Sequence, residues 1–215
     1  MDAERVTQKE KPIETTDLLY TTDHSNNASS VKIPDNTPKG VPLNSTWTFW
    51  IDRSTYGSSA AQYEANLQKV YTVSTVEEFW SVYNNMPEPS TVENRCSYHL
   101  MRGDRKPMWE DPAHLTGGNW KLKCAKFHSN EVWKELLLAV IGEKLSESLV
   151  EGDEIGGVSI SVRDRDDVLQ IWNTKSSLAG NANIHDSLTS LLPQVEFLTF
   201  FYKAFESHEA FEGRK

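Results

Sequence analysis

Gly156-Gly157-Val158-Ser159-Ile160-Ser161-Val162-Arg163-Asp164-Arg165-Asp166-Asp167-Val168-Leu169-Gln170-Ile171-Trp172-Asn173 is the stretch that decides the fold. Val158, Ile160 and Val162 alternate with Ser159, Ser161 and Arg163, the period of two that marks a strand with one apolar face. The charged run 164–167 interrupts it, and 168–173 reads as a returning strand. So short a connection forces an antiparallel return, because a parallel crossover needs about a dozen residues or more.

The rest of the chain repeats this logic. From Ser45, Trp47, Phe49 and Ile51 fall on one parity and Trp50 on the other, ending at Asp52-Arg53. A Ser/Gly/Ala loop over 54–61 leads to a second expected strand at 63–72. Ser74 with Glu77 then forms a capping box, and Val76, Phe79, Trp80 and Tyr83 follow at i, i+3, i+4 and i+7, one stripe of a helix. Either all four lie in the core or some stay exposed as a docking patch. Pro87 and Pro89 make 86–92 a loop, and strands are expected at 97–102 and 119–126, where Trp120, Leu122 and Cys124 alternate with Lys121 and Lys123. A second helix runs from Ser129 through Val132, Trp133, Leu136, Leu137, Val140 and Ile141 to about 143–147. A third covers 183–192 and stops at Pro193, and a last strand covers 195–202. Strand pairs punctuated by single helices give an α+β class: an antiparallel sheet with three helices on one face and the other face free for a ligand.

Residues 1–40, rich in Thr, Ser, Asn, Asp, Glu and Lys, bury too little to offset the entropy of ordering and read as a disordered tail before a domain at 41–215. The 215 residues, 38% hydrophobic and 25% charged, suit one such domain. A net charge of -9 argues against a protein that coats nucleic acid but leaves open a focused contact with one nucleotide. Cys96 and Cys124 read as small buried hydrophobes. The lack of an apolar leader or a long apolar run points to a soluble protein of a reducing compartment.

Enzymatic motifs are missing: there is no glycine-rich phosphate loop, HExxH, paired CxxC or nucleophile elbow, and the six histidines are scattered. Glu151, Asp153 and Glu154 read as a solvated loop. No metal or cofactor is expected.

Two segments carry binding chemistry. In Pro107-Met108-Trp109-Glu110-Asp111, the indole offers a stacking platform worth roughly 1–3 kcal/mol per base. The adjacent carboxylate can accept both N1–H and N2–H of guanine, a paired donor edge that adenine lacks, at about 1.5–3 kcal/mol per charge-assisted bond. The competing role is a core tryptophan followed by a solvated acid. In the hairpin, Arg163 points away from the apolar face and Arg165 sits in the turn. Guanidinium forks suit phosphate, against the alternative that they pair with Asp164, Asp166 or Asp167. Trp172 is by default a core residue.

The series Trp47-x-x-Trp50, Val76-Glu77-x-Phe79-Trp80, Pro107-Met108-Trp109-Glu110-Asp111, Gly117-Gly118-x-Trp120, Ile141-Gly142-Glu143 and Val162-Arg163 through Ile171-Trp172 resembles the eukaryotic translation initiation factor 4E family, the messenger RNA cap-binding proteins. Cys96-Ser97-Tyr98-His99-Leu100-Met101-Arg102-Gly103 and Val162-Arg163-Asp164-Arg165-Asp166 look like its type 3 branch. The resemblance implies a curved antiparallel sheet with three helices on the convex face and 7-methylguanosine in the concave face.

By the same resemblance, Trp109 matches one of the two stacking tryptophans and Tyr63 falls at the other. Glu110 matches the guanine-reading carboxylate, Trp172 the residue near the N7 methyl, and Arg163 the phosphate-binding arginine. Arg165 lies at another basic position. A common lysine falls on Val168 and an arginine on Asn119, which implies weaker cap affinity than the family's best binders. Val76, Trp80, Glu135 and Leu138, with Pro42 and Leu43, match the face that docks initiation factor 4G-like scaffolds and repressors. Lys134 stands where an apolar residue is common, and Val41-Pro42-Leu43 departs from a His-Pro-Leu pattern.

The implied protein is a cytoplasmic, monomeric, non-catalytic translation initiation factor without a membrane role. The alternative is a decoy that binds cap too weakly to matter and represses translation by sequestering 4G-like partners. A cap-processing hydrolase would need an acid-rich metal motif that is not present.

Overall fold

The computed structural model describes residues 40–53, 57 and 59–206; apart from Gly40, the expected tail lies outside them. Seven strands form one sheet: β1 (Pro42–Arg53), β2 (Gln68–Thr75), β3 (Cys96–Arg102), β4 (Gly118–Ala125), β5 (Ile155–Ser161), β6 (Asp166–Asn173) and β7 (Thr199–Ala204). Their order is β2-β1-β3-β5-β6-β4-β7, and every neighbouring pair is antiparallel. The hairpin pairs as expected, Ile160 with Leu169 and Val158 with Ile171. β5 stops at Ser161 and β6 begins at Asp166, so Arg163 belongs to the turn, where its backbone N–H donates to Asp167 at 2.9 Å.

The α-helices are α1 (Ala60–Asn66), α2 (Val76–Tyr83), α3 (Ser129–Ile141) and α4 (Ile184–Leu191). Three match the expected helices, and α1 is an addition. The strand expected at 63–72 begins only at Gln68, because Ser59 and Gln62 close a reciprocal capping box that starts a helix with three alanines in seven residues. Tyr63 is therefore a helical residue. The box opening α2 also sits one residue later than expected. Thr75 caps Glu78, while Glu77 turns back to accept the Val41 N–H at 2.9 Å. β7 starts later than expected because Val195 first closes a turn onto the Leu192 carbonyl.

One face of the sheet carries the main core. Trp47, Phe49, Leu100, Leu122, Val158, Ile160, Leu169 and Ile171 pack there against Phe79 of α2, Leu136 and Leu137 of α3 and Leu188 of α4. Each fully buried side chain of this size removes surface worth about 1.5–3 kcal/mol. Cys96 and Cys124 are buried free thiols, and burial pushes Cys124 up to about 11.

The opposite face carries a smaller cluster of Trp50, Met101, Trp172 and Phe205, against which Leu67 and Trp109 pack partly exposed. α2, α3 and α4 thus back the main-core face, as expected, and the opposite face is left to this smaller cluster, although every residue of β3 and β5 is buried.

Candidate nucleotide-binding site

On the face opposite the main core, alternation aims short polar side chains from four strands at one another. Asp52 on β1 meets His99 on β3 (Oδ2···Nε2, 2.7 Å), and His99 meets Ser159 on β5 (Nδ1···Oγ, 2.7 Å). The Trp172 indole N–H on β6 donates to the same Ser159 Oγ at 3.0 Å. From α1, the Tyr63 hydroxyl lies 3.3 Å from Asp52 Oδ2 and 3.2 Å from the Pro107 carbonyl. This spine is deeply buried and ties Tyr63 at one end to Trp172 at the other. Burial, then the charges of Asp52 and Glu110, drive the Tyr63 phenol far above its ordinary value, so it stays neutral and the Glu110 carboxylate is within electrostatic reach of it.

The structure thus brings together Tyr63, Trp109, Glu110 and Trp172. Trp109 and Glu110 are both partly exposed, and Glu110 accepts no hydrogen bond among the described residues. Trp172 is 5% exposed, and its indole packs against His114 at 5.2 Å and Phe205 at 5.1 Å between ring centroids. His114 Nδ1 bonds the Met108 carbonyl at 3.0 Å, which fixes the loop carrying Trp109. Burial above all holds His114 below the usual histidine range, so its Nε2 is an acceptor. Trp50 Nε1, His114 Nε2 and Asn119 Oδ1 are buried without a partner among the described residues, a pattern that natural cores avoid away from functional sites.

Glycines set the spacing. A side-chain carbon on Gly117 would run into the Asn173 carbonyl, and one on Gly118 into the Tyr202 hydroxyl, so the pair lets β4 close between β6 and β7 with Asn119 beside Trp172.

Arg163 and Arg165 stand at the far end of the hairpin, beyond Asp166, about 20 Å along β6 from Trp172 at 3.4 Å per residue. Neither forms an ion pair among the described residues. Asp164 bonds Asn94 and Asp167 takes Lys126 (2.7 Å) and Ser129, which engages two of the three acids expected to pair with them.

The second group of expected residues assembles on the helical side. The Val76 N–H donates to the Val41 carbonyl at 2.9 Å, which sets Pro42 and Leu43 beside the start of α2. Of the stripe, Phe79 is 1% exposed, whereas Val76, Trp80 and Tyr83 remain partly exposed. Trp80 and Leu138 flank the core, and Lys134 of α3 lies 6.0 Å from the Trp80 ring. The Glu135 charge, after burial and Glu88, helps raise the Tyr83 phenol, which places Glu135 on the same surface.

Sequence reasoning missed three features: α1, the Asp52–His99–Ser159 spine, and Arg102. The last is 8% exposed, bidentate to Glu143 at 2.6 and 2.8 Å, bonded to the Ile155 carbonyl at 2.9 Å, and stacked 4.4 Å from the Trp47 ring. The Ser59-to-Gln62 box was the one available signal for α1. Among the described residues no group of His, Cys, Asp or Glu could hold a metal, and no helix is long and apolar enough to cross a membrane.

Residues 42–214 match the description Eukaryotic initiation factor 4E. Eukaryotic translation initiation factor 4E-1 of Phaseolus vulgaris is 35% identical over 173 residues, 80% of this chain and 74% of that protein. Its counterpart in Cucumis melo is 37% identical over 172 residues, 78% and 72% of the two chains. Among solved structures, C. elegans eIF4E-3 in complex with the 4E-binding protein Mextli and cap analogue superposes with a TM-score of 0.66 at 27% identity, covering 77% of this chain and 93% of that one. Ascaris suum eIF4E-3 with m2,2,7G cap gives 0.65 at 26%, covering 82% and 98%. The chain belongs to the eukaryotic initiation factor 4E family.

Proposed function

We propose that this protein binds the 7-methylguanosine cap of messenger RNA and docks a 4G-like scaffold or a 4E-binding repressor in translation initiation or its regulation. One observation carries the reading: Glu110 holds a carboxylate with no hydrogen bond among the described residues, beside the partly exposed Trp109 and within electrostatic reach of Tyr63. N7 methylation makes guanine cationic, which strengthens its attraction to an indole face. Trp109 stacks the base, Tyr63 forms the second wall, and Glu110 accepts N1–H and N2–H. Trp172 closes the hollow near the methyl group, and Arg163 with Arg165 meets phosphates.

The solved relatives with cap analogue and m2,2,7G cap, and with Mextli, support both halves of this reading. The role is non-catalytic and cytoplasmic, carried out by a monomer. Val76, Trp80, Glu135, Leu138, Pro42 and Leu43 form the docking surface.

A fluorescence titration comparing 7-methyl-GTP with GTP tests it. Preference for the methylated nucleotide is expected, and a ratio near one overturns the cap assignment. The decoy alternative predicts retention on a partner peptide together with loss from a cap resin.

A further inference from the structure

We propose that Lys121, with Lys203 beside it, receives the phosphate bridge of the bound nucleotide on the lane between Trp172 and the arginines of the hairpin turn; this rests on the cap-binding reading. The register fixes the lane. β4 pairs Asn119 with Trp172 and Lys203, Lys121 with Gln170 and Phe201, and Lys123 with Val168 and Thr199. Trp120 and Leu122 point into the main core, so Lys121 points to the face that carries Trp172.

These nine residues include three lysines and no carboxylate, in a chain with 31 acidic against 22 basic residues. One strand over and two residues along places Lys121 about 8 Å from Trp172, on the way to Arg163.

Four lysines of the domain are neutralised: Lys69 by Asp104, Lys106 by Glu64, Lys126 by Asp167 and Lys144 by Glu147. Lys121 forms no ion pair among the described residues. Partial burial, then the charge of Lys203, lowers its affinity for a proton, a penalty that an anion between the two ammonium groups would relieve. The neighbouring polar groups suit the same guest. Asn119 Nδ2 donates to Gln170 Oε1 at 2.7 Å, which occupies the Gln170 oxygen and leaves its amide hydrogens as donors along the lane.

The test compares 7-methyl-GMP, 7-methyl-GDP, 7-methyl-GTP and a capped oligonucleotide on wild type, Lys121→Met, Lys203→Met and Lys121→Arg, with GTP as control. The Met variants keep the aliphatic stem. The expected result is that Lys121→Met lowers the gain from 7-methyl-GMP to 7-methyl-GTP by about tenfold, as for loss of one charge-assisted contact, and that Lys121→Arg restores it. The salt slope should fall by about one. An unchanged gain in both Met variants overturns the proposal. A loss confined to the oligonucleotide also overturns it, assigning Lys121 to downstream phosphates. If wild type fails to distinguish 7-methyl-GTP from GTP, yet the phosphate dependence still vanishes in Lys121→Met, the cap reading falls and the anion site stands.

Discussion

The two faces of the sheet divide labour. The helix-covered face is a continuous apolar core from Trp47 to Leu188. The opposite face holds a smaller cluster of Trp50, Met101, Trp172 and Phe205, threaded by a polar spine and bordered by Glu110, Lys121, Arg163 and Arg165, none of which forms an ion pair among the described residues. Stability concentrates on the first, and recognition on the second, where unsatisfied groups cost folding energy that a ligand can recover.

The largest effect that would test this division is on the core side. Leu136→Ala should lower unfolding free energy by about 2–5 kcal/mol in a urea titration while leaving the ratio of 7-methyl-GTP to GTP affinity unchanged. A changed ratio would couple the faces. Conversely, Trp109→Ala should weaken cap-analogue binding by about 1–3 kcal/mol and Glu110→Ala by a similar amount, with partner-peptide binding untouched. Equal loss of both ligands would break the division.

Ser159→Ala sits where the faces meet. It leaves His99 Nδ1 and the Trp172 indole N–H buried without their shared oxygen, so about 1–3 kcal/mol of stability should be lost. The indole N–H Raman band should shift, and cap affinity should fall with it. An unshifted band would mean that the spine does not position Trp172.

The smallest effect is acid sensitivity. Burial tends to raise the Glu143 carboxyl, but hydrogen bonds from Arg102 and Ser146 and the Arg102 charge outweigh it and leave the group below its ordinary value of 4.5. A depressed carboxyl stabilises the fold fully above that value, and the contribution fades as pH falls through the lower folded value. Melting temperatures of wild type and Glu143→Gln should therefore converge below about pH 4.5. A gap that widens there refutes the assignment.

How much of this was legible follows from what is local. Alternation in 156–173 and the stripe Val76, Phe79, Trp80, Tyr83 encode their elements within one or two turns of chain, and both formed. The α2 boundary slipped by one because Ser74 with Glu77 and Thr75 with Glu78 satisfy the same spacing, and only the Val41 N–H decides between them. α1 was hidden because Tyr63, Leu67 and Val70 mix strand and helix spacing after a Ser/Gly/Ala run. The spine was unreadable: Asp52 and His99 lie 47 positions apart, His99 and Ser159 60 positions apart, and only sheet register joins them. The candidate residues Trp109 and Glu110 were visible as chemistry, but their relation to Tyr63 needed the helix that the pattern concealed.

The linear order Asp52, His99, Ser159 has the connectivity that activates a serine in hydrolases, yet its surroundings oppose reactivity. Ser159 is fully buried and its oxygen already takes the Trp172 N–H, so no electrophile can approach along that lone pair. A fluorophosphonate probe should therefore pass this protein without labelling it, because nucleophilicity depends on an open trajectory as well as on an acid–base chain.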